Sequence, residues 1–259
     1  MRKNRRKKFL IIVALLGLIL VLSGCGDVKQ PITAESEGFW DSYFVYPLSW
    51  IIIQVANLFN GSFGLAIVIV TILIRLILVP LNIKQLKSTK AMQEIQPKLK
   101  EIQEKYSSKD AKTQEKLQQE QMKLFQEHNV NPLAGCLPIF IQMPILVGLY
   151  QSIVRTPGLQ DGVFLWFELS QPDPYYILPI IAATATFFQQ KLSMMGTDQA
   201  EANPQMSMML YMMPIMIGMM SMFFPAALSL YWVVGNVFMV LQTIFIRKPF
   251  KFQQTSGGK

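Results

Sequence analysis

Five stretches of this chain, residues 59–81, 132–154, 175–192, 206–224 and 226–246, are apolar runs of a length that crosses a bilayer as a helix. The third and fourth lie near the lower length limit, and the turn at Phe224-Pro225 is nearly all that separates the last two. Between the first and second runs the pattern changes. Residues 82–131 are polar, charged and helix-forming, with Met92, Ile95, Leu99, Ile102 and Tyr106 recurring at steps of three and four. Ser107-Ser108-Lys109-Asp110 breaks that stripe, and Leu117, Gln121, Leu124 and Phe125 begin another. Two helices with one seam each and a short connection predict an antiparallel hairpin, with Pro97 a kink or irregularity in its first arm. The segment is longer than a connection requires, which leaves open a docking arm for a soluble partner or a lid over the membrane site.

Ahead of the first span, residues 39–58 carry Phe39, Trp40, Tyr43, Phe44, Tyr46 and Trp50, but also Asp41, Ser42, Ser49, Gln54 and Asn57. This mixture predicts an amphipathic helix lying in the outer interface, started or interrupted near Pro47, with a polar linker at 25–38 before it. The expected architecture is an all-α polytopic membrane protein: five transmembrane helices, a helical hairpin on one side and an interfacial helix on the other. Residues 155–174 and 193–205 are read as loops, and 247–259 as a basic tail.

Composition agrees. The 259 residues are 51% hydrophobic and 15% charged, where soluble domains carry about 25% charge. The net charge of +8 is clustered beside the apolar runs, so it reads as a topology signal and a contact to anionic lipid rather than as a nucleic-acid surface. Residues 84–127 hold ten Lys and seven acids, and the tail adds Arg247, Lys248, Lys251 and Lys259. The other side carries Asp27, Glu35, Glu37 and Asp41 against Lys29, then Asp161, Glu168 and Asp173 against Arg155. The positive side is expected in the cytoplasm, with the C-terminus there and the mature N-terminus outside.

The N-terminus points the same way. Arg2, Lys3, Arg5, Arg6, Lys7 and Lys8 precede an apolar run at 9–22, which suits the core of a signal peptide better than a spanning helix. Leu22-Ser23-Gly24-Cys25 resembles the lipobox of bacterial lipoproteins. The expectation is a signal peptide at 1–24 and a diacylglyceryl thioether on Cys25, the alternative being an uncleaved anchor. Cys25 and Cys136 are too few and too differently placed for a disulfide framework, and the lone His128 excludes a multi-histidine metal site.

One residue in the spans breaks the apolar rule. Arg75 lies five residues before Pro80, about 8 Å inside the expected end of its helix. Snorkelling to the interface is one reading. However, none of the five runs contains Asp or Glu, so no intramembrane ion pair neutralises the guanidinium, and a hydrated cavity open to the cytoplasm is the other reading. Thr71 lies one turn before Arg75, while Gln142, Gln189, Gln190, Asn236 and Gln242 are amides in other spans that either line such a cavity or join helices. The lack of intramembrane acids argues against proton- or cation-coupled carriers, and no inverted repeat is evident. No nucleophile–base pair, metal spacing or phosphate loop is present, so neither catalysis nor a cofactor is expected. Nine Met fall between residues 206 and 222, which suits either lipid-facing packing or a surface that accepts many shapes.

Four stretches carry a resemblance to the YidC family of membrane protein insertases: Arg75 with Pro80-Leu81-Asn82; residues 84–106 with Gln96-Pro97; Asn131-Pro132 through Gly135-Cys136-Leu137-Pro138 to Gln142-Met143-Pro144; and Tyr231-Trp232 with Asn236 and Gln242. The lipobox and the lack of a large outer domain look like the short lipoprotein form of Gram-positive bacteria. The resemblance implies a five-helix core enclosing a hydrophilic groove that opens to cytoplasm and lipid. Arg75 would be its central residue, with Thr71, Gln142, Gln189, Trp232 and Asn236 lining it. It also implies insertion of nascent membrane proteins, alone and with the Sec translocon, on chains delivered by the ribosome, with no small-molecule substrate. Paired family members in spore formers include one needed for sporulation. Outside the family, a channel or solute transporter is the alternative, and a purely structural assembly chaperone a third reading.

Overall fold

The structure is a computed structural model that describes residues 30–108, 110–128, 130–131, 137–194 and 204–255. The expected signal peptide, Cys25, Cys136, most of the 193–205 loop and the side chains of the basic tail lie outside the described residues.

A π-helical turn, Asp41–Val45, leads into helix α1, Tyr46–Leu58. The change of register falls at Pro47, which has no N–H to offer the preceding turn. Asn60 (φ 53°) and Gly61 (φ 79°) then reverse the chain, and the Gly61 N–H closes the end of α1 on the Ala56 carbonyl at 2.8 Å. Helix α2 spans Phe63–Glu94, 32 residues with Pro80 inside. The apolar run therefore does not end as a helix at 81; it continues through Pro80 into the polar segment, because one missing backbone bond does not break a helix held by turns on both sides.

The real stop is at Ile95, where Pro97 begins a new helix, α3, Gln96–Lys105, by occupying its first turn. Helix α4 spans Ala111–Glu127. Asp110 caps it, accepting from the Thr113 N–H at 2.9 Å and from the Ser108 hydroxyl at 2.5 Å. Those bonds, Ser108's first and then those of Thr113, lower the Asp110 carboxyl from 3.8 to about 2. Lys98, early in α3, lies 2.9 Å from His128, just past the end of α4, so the two helices run antiparallel. Ile95, Leu99, Leu124 and Val130 bury their seam.

Helix α5 spans Leu137–Arg155 and the single turn α6 Pro157–Gln160. A small antiparallel hairpin follows, β1 (Val163–Phe164) and β2 (Phe167–Glu168). Helices α7 (Ile177–Met194), α8 (Pro204–Phe223) and α9 (Ala226–Thr255) complete the chain. Buried Asp173 starts α7, accepting from the N–H groups of Tyr175 and Leu178 and from the Trp166 indole. Among the described residues two helices, Phe63–Glu94 and Ala226–Ile246, are long and apolar enough to cross a membrane; Leu210–Phe223 is a shorter apolar helix.

Helix α9 packs on α2 and α7, α7 on α8, and α1 on α2 and α5. The main core, including Ile52, Ile67, Ile153, Phe167, Leu228 and Tyr231, lies toward the end where α2 begins and α5 finishes. That end is tightly closed. The Phe164 ring fills the space where Gly64 has no side chain, and the first N–H groups of α9, on Ala226 and Ala227, are taken by the carbonyls of Gln171 and Leu169 at 2.7 and 3.0 Å. Arg155 is buried there, its guanidinium forked onto Asp41 at 2.8 and 2.7 Å and its Nε donating to the Gln30 carbonyl at 2.9 Å.

Candidate functional site

Arg75 lies in the first half of α2, on the same face as Thr71 and Asn82. That face meets α9. The Arg75 head lies over the Tyr231 ring, with Cζ 5.6 Å from the ring centroid. One turn further along α9 is Gly235, and Nη2, Nε and Cζ of Arg75 come within 2.5, 3.0 and 3.1 Å of the point a Cβ would occupy there. Tyr231 is held in turn by α5, since the Gln142 side-chain amide donates to its hydroxyl at 2.6 Å. Helices α2 and α9 thus meet at this cation, and α5 reaches it through Tyr231.

That cation lacks what the buried Arg155 has. Among the described residues Arg75 forms no ion pair, and its buried Nε has no hydrogen-bond partner. An unmet N–H of this kind costs about 1–3 kcal/mol, more on a charged group. A second unmet donor lies along the same seam. Buried Gln242, seven residues beyond Gly235, accepts from Asn82 at 3.4 Å but leaves its own Nε2 without a partner.

The other residues singled out in the sequence distribute themselves more widely. Thr71 is buried, and its hydroxyl donates to the Ile67 carbonyl of its own helix at 2.6 Å. Asn236 faces α7 rather than α2, donating to Thr186 at 2.7 Å. Gln189 bonds Ser193 on its own helix at 3.2 Å, and Gln190 points at the Met213 sulfur of α8 at 2.8 Å. Trp232 is buried and packs edge-on against Phe224, at 6.5 Å between ring centres. The structure therefore joins Arg75 to Gln142 through Tyr231, with Thr71 one turn away, and sets Asn236, Gln189 and Trp232 on other contacts.

Tyr231 and Gly235 were not among the candidate lining residues. Their spacing of four, with Gln242 seven further on, marks one face of α9, and that is the signal in the sequence that could have found them. On α8 the exposed face is lined by Met208, Met212, Met216, Met219 and Met222.

Fold and site together define a helical membrane protein whose bundle holds a cation with no counter-ion among the described residues. The sequence model of the family described as 60Kd inner membrane protein matches residues 54–254. A membrane protein insertase YidC of Oceanobacillus iheyensis is 61% identical over 94% of this chain and 98% of its own. The membrane protein insertase MisCA of Bacillus subtilis is 58% identical over 94% of this chain and 93% of its own. A crystal structure of an active YidC insertase, with its first transmembrane domain resolved, superposes with a TM-score of 0.62 at 27% identity, covering 80% of this chain and 47% of that one. The chain belongs to the 60Kd inner membrane protein family, that of the YidC membrane protein insertases, which are not enzymes.

Proposed function

We propose that this chain inserts integral membrane proteins and helps them fold, using Arg75 to receive the acidic tail of each client. The observation that carries the reading is the state of Arg75: a guanidinium within an apolar helix, its Nε buried and unmet, with no carboxylate from the described chain beside it. A client carboxylate supplies the missing counter-charge at the rest of the guanidinium, and in a medium of low dielectric the attraction is far stronger than in water.

The remainder of the reading follows from that pairing. Five helices, α2, α5, α7, α8 and α9, span the membrane around a hydrophilic groove that opens to the cytoplasm, and α1 lies in the outer interface. The Arg155–Asp41 clamp and the β1–β2 loop belong to the outer side, while α3 and α4 project into the cytoplasm as lid or docking arm. Cys25 carries the lipid anchor. The client's apolar segment partitions from the groove into lipid, which supplies most of the driving force, and the Met face of α8 accommodates its varied side chains. With the cell interior negative, each acidic charge carried outward gains about 2.3 kcal/mol per 100 mV, so no nucleotide is needed. The Sec translocon and the ribosome are the partners expected beside the bilayer, the latter through the basic tail and the α3–α4 arm.

The test is insertion by the purified chain alone. In liposomes without nucleotide, it is expected to carry the short acidic tail of a single-span client across the bilayer, read as protease protection of that tail. Solute flux through the same liposomes with no tail protected would favour a channel instead.

A further inference from the structure

We propose that Gly235 is a positioning residue: the notch left by its missing side chain seats the Arg75 guanidinium where a client carboxylate meets it. The inference rests on the reading of Arg75 given above. A glycine inside a long helix costs stability relative to alanine, so its presence in the middle of α9 asks for a reason. Backbone conformation does not supply one, since among the described residues the glycines with positive φ are Gly38 and Gly61, not Gly235.

Its surroundings do. Glycines in membrane helices usually admit a neighbouring helix. Gly218 on α8 is of that kind, with the Cβ of Ala183 3.0 Å from where its own would be. At Gly235 the three nearest atoms all belong to one charged head: Nη2 at 2.5 Å, Nε at 3.0 Å and Cζ at 3.1 Å from the missing Cβ. Those distances set the Nε–Nη2 edge of the guanidinium against the notch. Tyr231, one turn back on the same face of α9, lies against the same head at 5.6 Å. Helix α9 therefore holds Arg75 at an edge and over a ring, and Gln142 fixes that ring through its hydroxyl.

A methyl group at 235 would occupy the place of this edge. The atoms it displaces are the far end of a flexible side chain, so the helices can stay where they are while the guanidinium leaves its seat. A lysine at 75 has no planar fork to displace. The effect of a methyl should then depend on which cation stands at 75.

The experiment measures protection of the acidic tail for Gly235→Ala, Arg75→Lys, the double variant and Arg75→Ala, each normalised to its level in the membrane. Gly235→Ala is expected to lower insertion about tenfold, as for two residues in direct contact, and the double variant to match Arg75→Lys alone. Wild-type insertion by Gly235→Ala would overturn the proposal, and so would an equal further loss when it is added to Arg75→Lys. If Gly235→Ala fails to accumulate, accumulation of the double variant supports the seat, and failure of both refutes it. Normal insertion by Arg75→Ala sinks the client-contact reading itself; its loss beside a wild-type-like Gly235→Ala sinks only the seat.

Discussion

Two arginines in this bundle have opposite surroundings. Arg155, at the end of α5, is buried and fully engaged: Asp41 takes both ends of its fork and the Gln30 carbonyl takes its Nε. Arg75, in α2, has an aromatic ring, a glycine notch and an Nε without partner. A guanidinium whose donors are all met has a structural task already complete. Arg75 keeps one donor unmet and has no carboxylate among the described residues, which is a cost in an apolar helix. The contrast separates an arginine that joins parts of the bundle from one that, on the function proposed above, receives a client.

Substitution with lysine sharpens the contrast most. At 75 the charge and its seat both matter, so Arg75→Lys is expected to retain insertion of acidic-tailed clients at a reduced level, near that of Gly235→Ala, while Arg75→Ala and Arg75→Glu abolish it. At 155 the fork and Nε are all used, so Arg155→Lys is expected to lower thermal stability in detergent even though the charge is kept.

Removing the clamp outright should affect stability rather than client choice. Arg155→Ala leaves Asp41 without its partner, a loss of about 3–5 kcal/mol for a fully buried pair. The Asp41 side chain is 20% exposed, which argues for the lower end of that range. The expected readout is a lower unfolding temperature, with the dependence of insertion on client tail charge unchanged for the protein that remains folded.

Tyr231 gives a smaller effect on the other arginine. Tyr231→Leu removes the ring beneath the guanidinium, an interaction of about 0.5–2 kcal/mol, so a few-fold loss of insertion is expected. Tyr231→Phe keeps the ring and loses only the bond from Gln142, and should lie between that variant and wild type.

The smallest effect concerns the α3–α4 arm. The Asp110 carboxyl is lowered from 3.8 to about 2 in the fold, so its capping contribution is present above about pH 4 and fades as pH falls through 2. The protection of the Thr113 amide, relative to its intrinsic exchange rate, should fall over that window, and Asp110→Ala should abolish the dependence.

The helices, and the place of Arg75 within one of them, are legible in the sequence. Arg75 declared itself because a charge in an apolar run is expensive, and α3 and α4 follow their stripes of Leu99 and Leu124. The neighbours of Arg75 did not declare themselves. Tyr and Gly are ordinary in membrane helices, and their meaning depends on which face of α9 meets α2, which no single-helix pattern contains. Prolines behaved differently by position. Pro47 and Pro97 stand in the first turn of new helices, whereas Pro80 lies inside one, and local composition does not distinguish the cases. Residues 155–174 read as a plain loop because strands of two residues, Val163–Phe164 and Phe167–Glu168, are too short to show a period.

The most direct measurement varies the client instead of the insertase. A series of single-span clients differing only in the number of acidic residues in the short tail is inserted by wild type and by Arg75→Ala in the same liposomes. The advantage of wild type is expected to grow with each added acid and to vanish for the uncharged tail. An advantage that stays constant across the series would contradict the claim that Arg75 receives its missing carboxylate from the client.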